Sequence, residues 1–238
     1  MCADLGAKGG TSMAAAFTDQ LPSATEVTNW RRDVSSAHAR SHCVIRRIID
    51  LIVASLLLVL LFPVLAVIAM AVRLTSPGPA FFSQRRIGRH GERFTVMKFR
   101  TMVPGAEAQR AAVLGGPDGG MSLRQRHDPR ITPIGRLLRR WSLDELPQLI
   151  NVVRGDMALV GPRPILPDEL ELLEPHHHAR HSCRPGLTGL WQISGRKDTS
   201  WAERMALDLQ YVESQSLPTD VRILGRTVCA VIAGQGAY

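Results

Sequence analysis

Aromatic residues make up only 5 % of this 238-residue chain, which weakens any reading as a single-strand nucleic-acid binder that stacks bases on aromatic platforms. Cysteine is equally thin. Cys2, Cys43, Cys183 and Cys229 stand far apart with no CxxC pair, so neither a zinc site nor a disulfide framework is indicated, and a reducing cytoplasm fits. Neither GxxxxGK nor GxGxxG occurs, so nucleotide binding by the familiar phosphate loops is not indicated. There are no internal repeats. Acidic residues are the minority charge, 21 against 29 Lys and Arg. That balance favours anionic partners: nucleic acid, phosphorylated metabolites or an acidic membrane face.

What the chain does have is one long uncharged run, "LIVASLLLVLLFPVLAVIAMAV", from Leu51 to Val72. As a helix it extends roughly 33 Å, about one bilayer core. A buried core helix would carry a polar face, and this segment has none. A secretory signal is the next competitor, but some 45 residues precede the run and it is longer than a signal core. Arg46 and Arg47 stand before it and Arg73 after it, which removes the asymmetry that would orient a spanning helix. Pro63 lies at its midpoint, where it deletes one helical hydrogen bond. A bend there returns both ends to one basic interface, although proline is also tolerated in helices that cross straight through.

The remainder reads as α+β, mostly helical. Residues 1–43 form a flexible leader, 44–73 the membrane helix and 74–238 a small domain that fits the cytoplasm. "PAFFSQ" and "RFTVMKF" are two strands joined through Gly88 and Gly91. A Gly-rich stretch at 104–127 is a mobile loop. "DPRITPIGRLLRRW" opens on turn chemistry and becomes a basic helix, and "DELPQLINVVRGDMALVGPRP" carries a helix and a turn at Arg154–Asp156. "PDELELLEPHHHARH" reads as helical up to Pro175 and "RPGLTGLWQISGR" as irregular. Two further helices cover "SWAERMALDLQYVESQ" and "DVRILGRTVCAVIAG".

Asp144 and Glu145 stand side by side in "RRWSLDELPQ", and adjacent carboxylates resist joint ionisation. Pro147 is tolerated only in a helix's first turn, so a helix begins near Ser142–Asp144. Ser142 with Glu145 three residues on reads as a capping box, the plainer account of the pair. The other account is chemical. A helix N-terminus attracts phosphate and steadies a carboxylate, so an ionised Asp held there could attack phosphorus beside a metal-bound neighbour.

Lys98, Arg100, Arg139, Arg140, Arg163 and Arg196 each lie in a short segment flanked by Gly, Pro or aromatics. A solvated basic surface accounts for any one of them. "GPRP" and "SGR", however, hold their arginines on restricted backbone, which suits bidentate phosphate capture. His177 and His181 have i, i+4 metal-ligand spacing but no acid or cysteine at ligand distance in sequence.

Three stretches, "FFSQRRIGRHGERFTVMKFRTM", "DPRITPIGRLLRRWSLDELPQLINVVRGDMALVGPRP" and "RPGLTGLWQISGR", closely resemble the bacterial sugar transferases, the monotopic phosphoglycosyl transferases. The likeness runs from about Val44 to the C-terminus. It is similar within that family to enzymes that start exopolysaccharide repeats with galactose or glucose. The resemblance implies transfer of a sugar 1-phosphate from a UDP-sugar to undecaprenyl phosphate with release of UMP. It makes Asp144 the nucleophile of a phosphosugar-aspartyl intermediate and gives Glu145 a share in holding Mg²⁺. Asp220 of "SLPTD" matches a further acid near the metal. Arg163 and Arg196 match phosphate-binding arginines, and Lys98 and Arg139 basic positions around the site. Pro63 matches the proline that breaks the family's re-entrant helix. That implies a monotopic protein of the bacterial inner membrane, partnered by the lipid bilayer and both substrates and not by nucleic acid. A homodimer is left open. Trp141 stands where relatives carry Thr. Two other classes compete: a membrane-tethered nucleic-acid binder using the same cations, and a non-catalytic scaffold of polysaccharide assembly.

Overall fold

The computed structural model describes residues 37–109, 128–194 and 199–232. Helix α1 runs Ala37–Thr75, starting before the expected boundary at 44. It continues through Pro63 with no interruption, where a break was expected. Proline removes one N–H, and the flanking turns on each side are held by packing against the rest of the molecule.

That packing is uneven around the helix. Ala54, Ile68 and Val72 are buried, while Ile52, Val59, Leu60, Phe62 and Val67 are each more than half exposed. One stripe therefore faces protein, and the wide remainder is apolar with none of the described residues over it. A surface of that kind belongs in lipid.

After α1 comes the hairpin of β1 (Phe81–Ile87) and β2 (Arg93–Phe99), antiparallel with Phe82 opposite Lys98. The period-2 pattern and the glycines at 88 and 91 place it where expected. Helix α2 (Pro133–Arg140) is capped by Thr132, whose hydroxyl accepts from the Gly135 N–H at 3.0 Å. A Cβ on Gly135 would lie 2.1 Å from the Thr101 carbonyl oxygen, so only glycine lets α2 approach that strand end.

A 3-10 turn, Leu143–Gln148, leads into α3 (Leu149–Arg154), which ends at Gly155 in the left-handed region. Next come β3 (Ala158–Val160), α4 (Pro167–Leu170), a 3-10 segment Pro175–Ser182, β4 (Gly186–Thr188) and α5 (Leu190–Ile193). Helices α6 (Trp201–Glu213) and α7 (Leu217–Ile232) follow. The stretch expected to be helical up to Pro175 holds only the four-residue α4. The stretch read as irregular contributes β4 and α5. Strands β3 and β4 pair in parallel, Ala158 with Gly186 and Val160 with Thr188, and three-residue strands leave too little periodicity to be seen beforehand.

The largest core joins Val96, Leu149, Val152, Leu159, Tyr211 and Ile223 to Ala54 of α1. A second joins Phe99 and Leu138 to Ile68 and Val72. Both halves of α1 thus pack on the same domain.

Candidate active site

The chain leaves α2 through Ser142, whose φ of 53° and ψ of 21° put it in the left-handed region with no side-chain cap bond. The expected capping box is therefore not formed at Ser142–Glu145. In that conformation the Ser142 backbone reverses the chain and frees both acids from capping. A capping box does form on α6, between Ser200 and Glu203. A non-glycine residue held left-handed beside two acids is a strained position of the sort found at functional sites.

Asp144 is buried and lines a cavity of about 540 Å³. The cavity also takes in Lys98, Arg139 and Arg163, and residues just past the membrane helix such as Pro77 and Phe82. Burial, and then the Glu145 charge, push Asp144 above the usual carboxylate range; Lys98 and Arg139 oppose them. Lys98 Nζ donates to Glu145 Oε1 at 2.7 Å, and Arg163 Nη1 to the same oxygen at 3.4 Å. Burial pushes the Lys98 ammonium down to about 8 in spite of the Glu145 charge. Arg139 Nε donates to Thr101 Oγ1 at 2.9 Å. Arg163 also lies over the Trp191 ring, 5.6 Å from its centroid. Three sequence-derived cations, Lys98, Arg139 and Arg163, and Glu145 thus come together around Asp144.

Two others are engaged with protein groups. Arg100 also borders the cavity, but its Nη1 and Nη2 donate to the Pro77 and Ser76 carbonyls at 2.6 and 2.7 Å. Two of its guanidinium nitrogens tie down the exit of α1. Asp220 is not among the residues lining the cavity. Its Oδ2 accepts from Arg46 Nε at 2.7 Å and its Oδ1 from Tyr211 Oη at 2.9 Å, so both oxygens are committed to joining α7, α6 and α1. Arg196 and most of the 104–127 loop, residues 110–127, lie outside the described residues.

His181 Nδ1 pairs with the Gly88 carbonyl oxygen at 3.0 Å, and His177 Nδ1 accepts from the Glu174 N–H, so neither spacing-matched nitrogen faces a shared ligand. Among the described residues no group of three or more His, Cys, Asp or Glu gathers as a metal site. What the chain offers a cation is the Asp144–Glu145 pair, two hard carboxylates among bases. That suits Mg²⁺, which takes one or two carboxylates and fills its shell with water and substrate phosphate.

Sequence reasoning missed Arg180, Asp208, Asp128 and Arg130, which line the same cavity. Asp128 and Arg130 pair at 2.6 Å. Each lies in a stretch whose turn or helix signals accounted for it locally, so only tertiary proximity reveals it.

The Bacterial sugar transferase family matches residues 41–234. The exopolysaccharide production protein ExoY of Rhizobium meliloti strain 1021 is 44 % identical over 198 residues, covering 81 % of this chain and 88 % of that protein. The UDP-glucose:undecaprenyl-phosphate glucose-1-phosphate transferase of Caulobacter vibrioides is 43 % identical over 201 residues, 81 % of this chain and 72 % of the relative. The undecaprenyl-phosphate galactose phosphotransferase of Salmonella typhimurium LT2 is 38 % identical over 204 residues, 84 % of this chain and 43 % of the longer relative. With a buried acid among inward-turned cations and a lipid-facing helix packed beside it, the chain belongs to the bacterial sugar transferase family.

Proposed function

We propose that the protein transfers a hexose 1-phosphate, galactose or glucose, from a UDP-sugar to undecaprenyl phosphate and so begins an exopolysaccharide repeat. The single observation that carries this is Asp144, buried at the cavity wall with Lys98 and Arg139 offsetting its charge. An Asp144 oxygen attacks the sugar-linked phosphorus, the bridging P–O bond breaks, and UMP departs with that electron pair. The acceptor's phosphate oxygen then attacks the same phosphorus and returns Asp144 as a carboxylate. Lys98, Arg139 and Arg163 offset the phosphate charge at the cavity wall. Glu145 would hold Mg²⁺, which supplies further charge neutralisation at the phosphates when bound.

Basic groups turned inward onto one cavity favour this reading over a nucleic-acid binder, which presents them along an outer surface. The reading places the protein monotopically in the inner membrane with the catalytic domain cytoplasmic, and the packing of α1 favours the monotopic part of it. Ala54 and Val72 both meet the domain, and about 27 Å of helix separates them. A helix crossing the bilayer would draw the domain into hydrocarbon. On this reading both ends of α1 stay on the cytoplasmic side, and the weak point at Pro63 lets it bend in lipid.

Detergent-solubilised protein supplied with UDP-galactose or UDP-glucose, Mg²⁺ and undecaprenyl phosphate is expected to release UMP, and Asp144→Asn to lower the rate at least about a thousandfold. UMP release that survives the substitution removes Asp144 from the role. For topology, Cys43 and a Leu74→Cys variant should both react with a membrane-impermeant thiol reagent from the cytoplasmic side; opposite sides mean that α1 spans.

A further inference from the structure

We infer that Arg180 and Asp208 form a clamp that positions Arg163 in the site, a role distinct from touching the substrate. Both side chains are buried, at 3 % and 1 % exposure, and they form an ion pair. The pair holds the backbone of one residue through its carbonyl. Arg180 Nη2 donates to the Arg163 carbonyl oxygen at 2.7 Å, and the same nitrogen donates to Asp208 Oδ2, so the carboxylate fixes the guanidinium that holds the carbonyl. Arg163 sits in "GPRP" between two prolines, so its φ/ψ freedom is already small. The clamp fixes the carbonyl of the Arg163–Pro164 peptide unit.

From that anchored backbone the Arg163 guanidinium reaches Glu145 and lies over Trp191, whose ring also carries Arg204 at 5.3 Å. Arg180 acts through Arg163 and is a positioning residue. Stability alone does not account for the pair. Arg180 Nε and Nη1 are buried without a hydrogen-bond partner among the described residues. An ion pair left in that condition is no more stable than an apolar replacement of similar volume. Its use is geometric.

The functional part of this inference rests on the phosphoryl-transfer reading; the structural part does not, and the experiment separates them. Wild type, Arg180→Lys, Asp208→Asn, Arg163→Ala and the Arg163→Ala/Arg180→Lys double variant are purified in detergent. Amide hydrogen exchange is followed in the peptide covering residues 158–166. Exchange there should quicken at least about tenfold in Arg180→Lys and Asp208→Asn while the β1–β2 hairpin keeps its protection. Unchanged exchange in Asp208→Asn overturns the clamp even if Arg180→Lys does not fold. In the UMP assay, Arg180→Lys should lower kcat/KM about tenfold when Arg163 is present and less than about twofold in the Arg163→Ala background. An equal loss in both backgrounds overturns action through Arg163. Wild type without UMP release counts against the proposed reaction, and the exchange measurement still decides the clamp.

Discussion

Arg46 Nε meets Asp220 Oδ2 at 2.7 Å across 174 residues of chain. Tyr211 completes the contact, donating to Asp220 Oδ1 at 2.9 Å and lying 3.0 Å from the Val160 carbonyl oxygen. The N-terminal part of α1, α6, α7 and the end of β3 therefore share one polar junction, with both charged side chains about six-sevenths buried.

Asp220→Asn should destabilise the protein by roughly 3 kcal/mol, because Arg46 is left without its counter-charge. The concentration of Mg²⁺ giving half-maximal UMP release should stay within about twofold of wild type, since both Asp220 oxygens are already engaged with protein groups. A thermal melt beside a Mg²⁺ titration checks both halves. A large shift in Mg²⁺ demand with an unchanged melt returns Asp220 to the metal.

Lys98 gives the site a basic limb. Below about pH 8 the ammonium is charged and paired with Glu145; above it the charge is lost. Between about 8 and the ordinary 10.5 the unfolded chain keeps a proton that the folded chain has released. This one group therefore makes stability rise with pH across that window. Activity runs the other way. A pH–rate profile should show kcat/KM falling about tenfold per pH unit above pH 8, and Lys98→Arg should move that limb upward because guanidinium stays charged.

Arg100 is expected to separate stability from substrate binding. Arg100→Lys cannot hold the Ser76 and Pro77 carbonyls as a planar fork does, and should lower stability by about 1–3 kcal/mol. The KM for the UDP-sugar should change less than about twofold if the residue only ties down the helix exit. A tenfold rise in KM with an unaltered melt makes it a phosphate ligand after all.

Gly135→Ala drives a methyl group to 2.1 Å from the Thr101 carbonyl oxygen, on a segment that also positions Arg139 through Thr101 Oγ1. We expect a loss of at least about 2 kcal/mol together with weaker activity. A melt within about half a degree of wild type would show that α2 can slide without penalty.

The β1–β2 hairpin, α2, α6 and α7 were legible because their signals are local: alternation over seven residues, glycines at a turn, a Thr-Pro start, spaced apolar positions. The acid pair was misread as local structure. Whether Ser142 caps depends on its backbone sign, and the reversal between α2 and the 3-10 turn decides that. Asp220 and Arg100 show the other limit. A charged residue's neighbours in sequence do not disclose the partner it meets across 174 or 24 positions. Asp208 looks like an ordinary polar residue within α6, yet it is 1 % exposed and lies against Arg180. Burial there is a property of the assembled fold.

Because Ala54, Ile68 and Val72 fill gaps beside Val152, Phe99 and Leu138, the greasy segment is not a detachable tether. Cutting the gene after Thr75 to obtain a water-soluble enzyme would strip one wall from two hydrophobic interiors and delete the counter-ion of Asp220. The fragment would be expected to precipitate or to recruit detergent into the gap. Whatever surrounds the segment, native lipid or micelle, is therefore a component of the catalytic unit's stability, and solubilisation conditions belong among the variables of any kinetic comparison.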